Sequence, residues 1–149
     1  MKGARDGAPG DRLVPYSTHA RTYAALLRQF PGLALPEWVR RELARIVPEL
    51  GEAPPPLSSD GEKLRFYQAK TEALRLAAAA GMGALAFDDL QFVDEASVEA
   101  GEHSLSAFWG NGGSGLRTIH AYRAGELAPE LEARIEQFLN SIDAHVTMV

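Results

Sequence analysis

The chain contains no cysteine, which excludes disulfides, thiolate nucleophiles and zinc–thiolate centres together. Its four histidines, His19, His103, His120 and His145, share no ligand spacing, so a metal site built on them is not expected. No apolar run approaches the ~20 residues that would span a bilayer. The Gly-rich, polar start Met1–Asp11 has no apolar stretch of the kind a secretory signal requires. The expectation is therefore a cytoplasmic protein with no membrane partner. Positive charge is also in short supply, 15 Lys and Arg against 20 Asp and Glu, for a net charge of -5. Direct nucleic-acid binding normally needs a clustered basic face, and none is expected here. The densest basic group, Arg40, Arg41 and Arg45, lies among acids on a helix and reads as a solvated face.

What is present suits one domain with its own core: 149 residues, 46% hydrophobic and 23% charged. Residues 1–12 lack periodicity and read as a disordered start, with the domain covering 13–149. The first part, 17–80, reads as helical. Ser17 is a good N-cap, and Tyr23, Leu26, Leu27 and Phe30 form one apolar stripe that Pro31–Gly32 ends. Pro36 opens a second helix with Val39, Leu43, Ile46 and Val47 inward, stopped by Pro48. After the proline-rich loop 52–59, Ser59 and Glu62 have capping-box spacing. Leu64, Tyr67, Thr71, Leu74 and Ala78 then mark the expected buried face of a third helix.

From Met82 onward the pattern changes to strand, helix, strand, helix, strand. Ala84–Phe87 is a short unbroken apolar run, as expected of a central parallel strand covered on both faces. Helices are expected over Glu95–Trp109, with Val98, Leu105 and Phe108 inward, and from Pro129 with Leu131, Ile135, Phe138, Leu139 and Ile142. Leu116–Tyr122 and His145–Val149 read as the second and third strands of this half, and Gly110–Gly115 as a plain linker. The alternation implies right-handed crossovers, a parallel sheet and an α/β fold.

In such a sheet ligands bind beyond the carboxyl ends of the strands. Asp88 and Asp89 stand at such an end. Two adjacent carboxylates repel each other unless a cation or hydrogen-bond donors compensate, and Mg²⁺ with retained waters would do so. One acid could then orient an attacking water or accept its proton. The plainer alternative is that these acids cap a turn. Asp94 follows where the next helix begins. Arg123 closes the neighbouring strand, from which it could steady the diacid or reach a phosphate.

The string from Gly83 to Ser97, with Asp88, Asp89, Gln91, Phe92 and Asp94, resembles the Walker B segment of the STAND class of signalling ATPases. It is most similar to the AAA-like P-loop ATPase modules of large bacterial transcriptional regulators. Phe92 stands where that pattern has tryptophan. Ala121–Leu127 is similar to the family's next strand end, and Val14–Tyr16 with the helices to Leu50 fits the segment preceding Walker B. The resemblance implies a partial P-loop NTPase three-layer sandwich that uses ATP and Mg²⁺. It further implies that Asp88 holds the Mg²⁺ water shell, Asp89 positions the hydrolytic water and Arg123 reads the terminal phosphate. Gln91 is expected to matter only as part of the local turn.

The family's phosphate-binding Walker A loop ends in Gly-Lys-Ser/Thr, and no Gly-Lys pair occurs in this sequence. Gly110–Gly115 lacks a lysine and leads into a strand, so it does not substitute. The chain accordingly reads as a truncated frame or fragment of a signal-transducing ATPase. It would bind nucleotide only if the missing loop were supplied, and would be inactive alone. Two other readings stand beside this one: a non-enzymatic module that binds a protein partner, and a degraded reading frame.

Overall fold

The computed structural model describes residues 2–6, as backbone only, and residues 13–141. The expected strand at His145–Val149 and the inward position of Ile142 lie outside the described residues. The fold is mixed α/β. In chain order it runs β1 (Lys2–Asp6), α1 (Ser17–Gln29), α2 (Glu37–Leu43), α3 (Asp60–Ala79), β2 (Ala84–Asp88), α4 (Glu95–Gly110), β3 (Arg117–His120) and α5 (Pro129–Ser141). The strands form one parallel sheet in the order β1-β2-β3, with Lys2 opposite Ala84 and Ala84 opposite Arg117.

β1 lies within the stretch expected to be irregular. Lys-Gly-Ala-Arg-Asp has neither β-branched residues nor alternation. Its conformation follows from the unpaired edge of β2, which supplies the ladder partners that local propensity does not.

The strand order is sequential, which bears on where the helices of the described crossovers lie. Right-handed crossovers from β1 to β2 and from β2 to β3 step in the same direction and place their helices on the same side. The side chains agree with that geometry. Leu85 is buried, and Phe87, two residues on and therefore on the same face, packs against both main apolar clusters. Ala84 and Ala86 on the other face are only half-buried, and Ile119, in register with Ala86, is 52% exposed.

Beneath the covered face, α3 packs between α2 and α4. The main core joins Tyr23, Leu26 and Phe30 of α1, Val39 and Leu43 of α2, Ala73 and Leu74 of α3, Leu85 of β2, and Leu105 and Phe108 of α4. The stripes expected on α1 and α2 are thus in place. That on α3 is met in part: Tyr67 and Leu74 are buried as expected, but Leu64 is 44% exposed, and Phe66, Ala69, Lys70, Ala73 and Ala77, outside the expected stripe, have no exposed surface. The α3 cap also differs from a reciprocal capping box. Ser59 Oγ accepts from Glu62 N–H at 3.2 Å, but the Glu62 carboxylate turns to Ser58 N–H at 2.7 Å. The glycine run after α4 is a helix stop as well as a connector. Gly113 N–H donates to Phe108 O at 2.9 Å, and the Phe108 carbonyl and ring leave no room for a side chain at Gly113.

Candidate functional site

β2 delivers Asp88, exposed, to the carboxyl edge of the sheet. The chain then turns sharply. Asp89 adopts a left-handed conformation with φ 53°, one that aspartate tolerates better than most residues, and opens a short 3₁₀ turn, Leu90–Phe92. Its N–H donates to Asp88 Oδ1 at 2.8 Å. The ladder continues past β3: Ala121 N–H donates to Phe87 O at 2.8 Å and Leu90 N–H to Ala121 O at 3.1 Å. These bonds hold the chain leaving β2 against the chain leaving β3, so Asp88, Asp89 and Arg123 share one rim of the sheet.

The rim differs from expectation in two ways. Arg123 lies beyond the end of β3, its side chain is 69% exposed, and its guanidinium pairs with Glu126 at 3.7 Å. It forms no ion pair with Asp88 or Asp89, so it does not steady the diacid. Gln91, assigned only to the local turn, is fully buried. Its Nε2 donates to Asp89 Oδ1 at 2.9 Å, and its Oε1 accepts a long bond, 3.4 Å, from Arg123 N–H. Phe92 is half-buried beside it.

Two carboxylates are a sparse donor set for a metal. Among the described residues no group of three or more His, Asp or Glu side chains could hold a metal ion. One oxygen of each acid already accepts a hydrogen bond, leaving one apiece. Mg²⁺ commonly takes one or two protein carboxylates and fills its remaining positions with water and phosphate oxygens. The residues fit that shared arrangement and do not fit a closed, all-protein cage.

Asp94 serves a different purpose. It is 2% exposed and acts as the N-cap of α4, its Oδ2 accepting from Ser97 N–H at 2.9 Å. The same oxygen accepts from Tyr16 N–H at 2.6 Å, while Oδ1 accepts from Thr18 N–H at 3.1 Å and Ser17 Oγ at 3.3 Å. One buried carboxylate thus caps two helices, α1 and α4, and fixes where the turn after β2 comes to rest. Tyr16, which it holds, is the other non-glycine residue at positive φ among those described.

Beside this joint lies a buried amine that the sequence did not announce. Lys70 has no exposed surface; its Nζ is 2.9 Å from His19 Nδ1 and sits over the rings of Phe66 at 4.2 Å and Tyr16 at 4.6 Å. Burial holds the amine well below the usual lysine range, with the Asp94 charge acting in the opposite direction. His19 is likewise pushed well down, by burial first and then by Lys70. A cue was nonetheless available. Ala69, Ala73 and Ala77 recur at helical spacing around Lys70, and such a run of small residues marks the close-packed face of α3.

His120 stacks on Phe87, with ring centroids 5.1 Å apart and planes 19° from parallel. Burial lowers its pKa to about 4. It borders a cavity of about 60 Å³ between the sheet, α4 and α5, also lined by Phe87, Leu105 and Ile135. That space is well short of the ~150 Å³ in which a benzene-sized ligand is held, and suits one or two waters.

Among the described residues no helix is long and apolar enough to cross a membrane. Comparisons with protein-family models, curated proteins and solved structures found no match.

Proposed function

We propose that this chain supplies the acidic half of a Mg-nucleotide site in a STAND-type P-loop ATPase module, one that couples ATP binding or hydrolysis to an attached regulatory effector. The observation that carries this reading is the rim itself. Parallel register brings Asp88 and Asp89 to the carboxyl end of the middle strand and Arg123 just past the end of its neighbour. Ligands of open α/β sheets bind at that edge.

In the complete module Asp88 would hold the water shell of Mg²⁺, leaving the free oxygen of Asp89 to orient or deprotonate the attacking water. Arg123, whose weak pairing with exposed Glu126 is easily given up, would turn its guanidinium to the terminal phosphate. Mg²⁺ held there would supply neutralisation of phosphate charge. The half-buried Ala84 and Ala86 and the exposed Ile119 are compatible with the further helical layer that a three-layer sandwich would have on that side.

Without a Gly-Lys-Ser/Thr loop the 149-residue chain lacks the main phosphate grip, so negligible ATP hydrolysis is expected of it alone. Steady-state turnover and calorimetry with and without Mg²⁺ test this. Turnover well above background that disappears in Asp89→Asn, or tight Mg-ATP binding, would contradict it. A second reading, a non-enzymatic module, rests on Ile119, a large apolar side chain 52% exposed on β3 that a protein partner would bury. Under that reading, Asp88→Asn and Asp89→Asn leave partner binding unchanged, whereas Ile119→Asp abolishes it.

A further inference from the structure

Gln91 occupies an unusual position for a neutral side chain: fully buried, between an acid on one strand end and a backbone amide on the next. We propose that Gln91 is a positioning residue that links the Asp89 carboxylate to the main chain of Arg123, so that a change at Asp89 is felt at Arg123. The inference rests on the proposed function for the roles of those two residues, but the link is a feature of the chain itself.

The chemistry of the two neighbours determines which side chain can make this link. An ionised carboxylate only accepts hydrogen bonds, and a backbone N–H only donates. A connector between them must therefore donate at one end and accept at the other, and a terminal amide does both. Its orientation is also fixed. Exchanging the oxygen and nitrogen of Gln91 would set an acceptor against the Asp89 oxygen and a donor against the Arg123 N–H. Glutamate has the same shape but presents acceptors at both ends, and methionine makes neither bond.

Two consequences follow for the site. The bond at 2.9 Å occupies Asp89 Oδ1 and leaves Oδ2 as its free oxygen, which sets the direction in which the acid faces a water. The bond at 3.4 Å is long and has room to tighten. If the Asp89 side chain turns toward a ligand, the amide is drawn with it and the Arg123 N–H is displaced. The loop that follows contains Gly125 at φ 80° and the Arg123–Glu126 pair. Displacement at Arg123 N–H therefore changes the direction in which the guanidinium leaves the sheet. Gln91 itself is buried and both bonds are partly buried, which limits their replacement by water.

A competing route exists through the backbone, from Asp89 to Leu90 N–H and on to Ala121 O. A cycle of variants separates the two, because coupling through Gln91 must vanish with its side chain while coupling through the ladder must persist. The readout is the Arg123 amide in ¹H–¹⁵N spectra of the full chain, compared across wild type, Asp89→Gly, Gln91→Met and the double variant. Glycine accepts the left-handed conformation at position 89, so the change removes the carboxylate without straining the turn.

Asp89→Gly should shift the Arg123 amide in the wild-type background and leave it nearly unmoved in Gln91→Met. If methionine at this buried position unfolds the chain, Gln91→Leu, which likewise makes neither bond, takes its place and must lose the response too. An equal Arg123 response in both backgrounds, or none in either, would overturn the proposal. A parallel titration with MgCl₂ tests the reading beneath it. Failure of the Asp88 and Asp89 amides to respond would contradict the metal-binding role and leave the result of the cycle standing.

Discussion

Replacing Asp94 with alanine should be among the most destabilising single substitutions in this domain. The carboxylate accepts from three backbone N–H groups, Tyr16, Thr18 and Ser97, and from the Ser17 hydroxyl, at 2.6 to 3.3 Å. Alanine leaves three helix-start donors without their partner in a site that is 2% exposed. Each buried donor left unpaired costs about 1–3 kcal/mol. Water reaching part of the vacated space reduces the sum, giving a loss of about 3–5 kcal/mol against the ~5–15 kcal/mol typical of a whole domain. The change also strips Lys70 of the charge that favours its protonated form. Asp94→Asn should lose about half as much, because one amide oxygen serves two of the donors while the NH₂ group faces the other two. Urea unfolding followed by the fluorescence of Trp38 and Trp109 measures both. A loss below about 1 kcal/mol for Asp94→Ala would refute the assignment of this side chain as a cap shared by two helices.

Two predictions concern pH. His120 is held neutral by burial, with its pKa lowered from 6.5 to about 4, so its contribution to stability is complete above pH 6.5 and is lost as pH falls toward 4. At 1.36 kcal/mol per decade the loss is about 3 kcal/mol, and His120→Phe, which keeps the stacking surface on Phe87, should flatten that part of the acid limb. Unchanged acid sensitivity in the variant would contradict the account. The Lys70 amine is also lowered, so folding disfavours its protonated form, and stability should rise as pH increases toward the unfolded lysine value near 10.5. Lys70→Met should abolish that alkaline rise while costing little at pH 7, since an apolar side chain of similar length replaces a buried amine. A loss above about 3 kcal/mol at pH 7 would show that Lys70 is a paired charge essential to the core.

The contrast between the readable and the unreadable parts of the sequence has a physical basis. The helices of the first half and the β2–α4–β3–α5 order were legible because they rest on local periodicity and on punctuation by Pro, Gly and Ser, all visible within a window of one element. β1 was not legible, because its pairing energy comes from β2, some 80 positions away in register. On α3 the stripe of large apolar residues identifies Tyr67 and Leu74, which are buried, but not the close-packed face beside them. That face is made of alanines and Lys70, a residue type almost never buried without a partner. At the rim, the adjacency of Asp88 and Asp89 was plain from the sequence. The work of Gln91 was not, since its two partners, Asp89 and Arg123, lie on different strand ends and meet only through the parallel register. Asp94 stood out as an acid in the right place for the nucleotide site, yet its oxygens face inward to α1 and α4, which only the tertiary path of α1 reveals.

The central claim is that Asp88 and Asp89 form the cation-facing half of a nucleotide site. Titration of ¹⁵N-labelled chain with Mn²⁺, a paramagnetic substitute for Mg²⁺, tests it most directly. The account predicts that the amide signals of Asp88 and Asp89 broaden first, followed by those around Arg123, and that Asp88→Asn combined with Asp89→Asn removes the effect. Broadening centred instead on the acids of α5, or unchanged in the double variant, would contradict it.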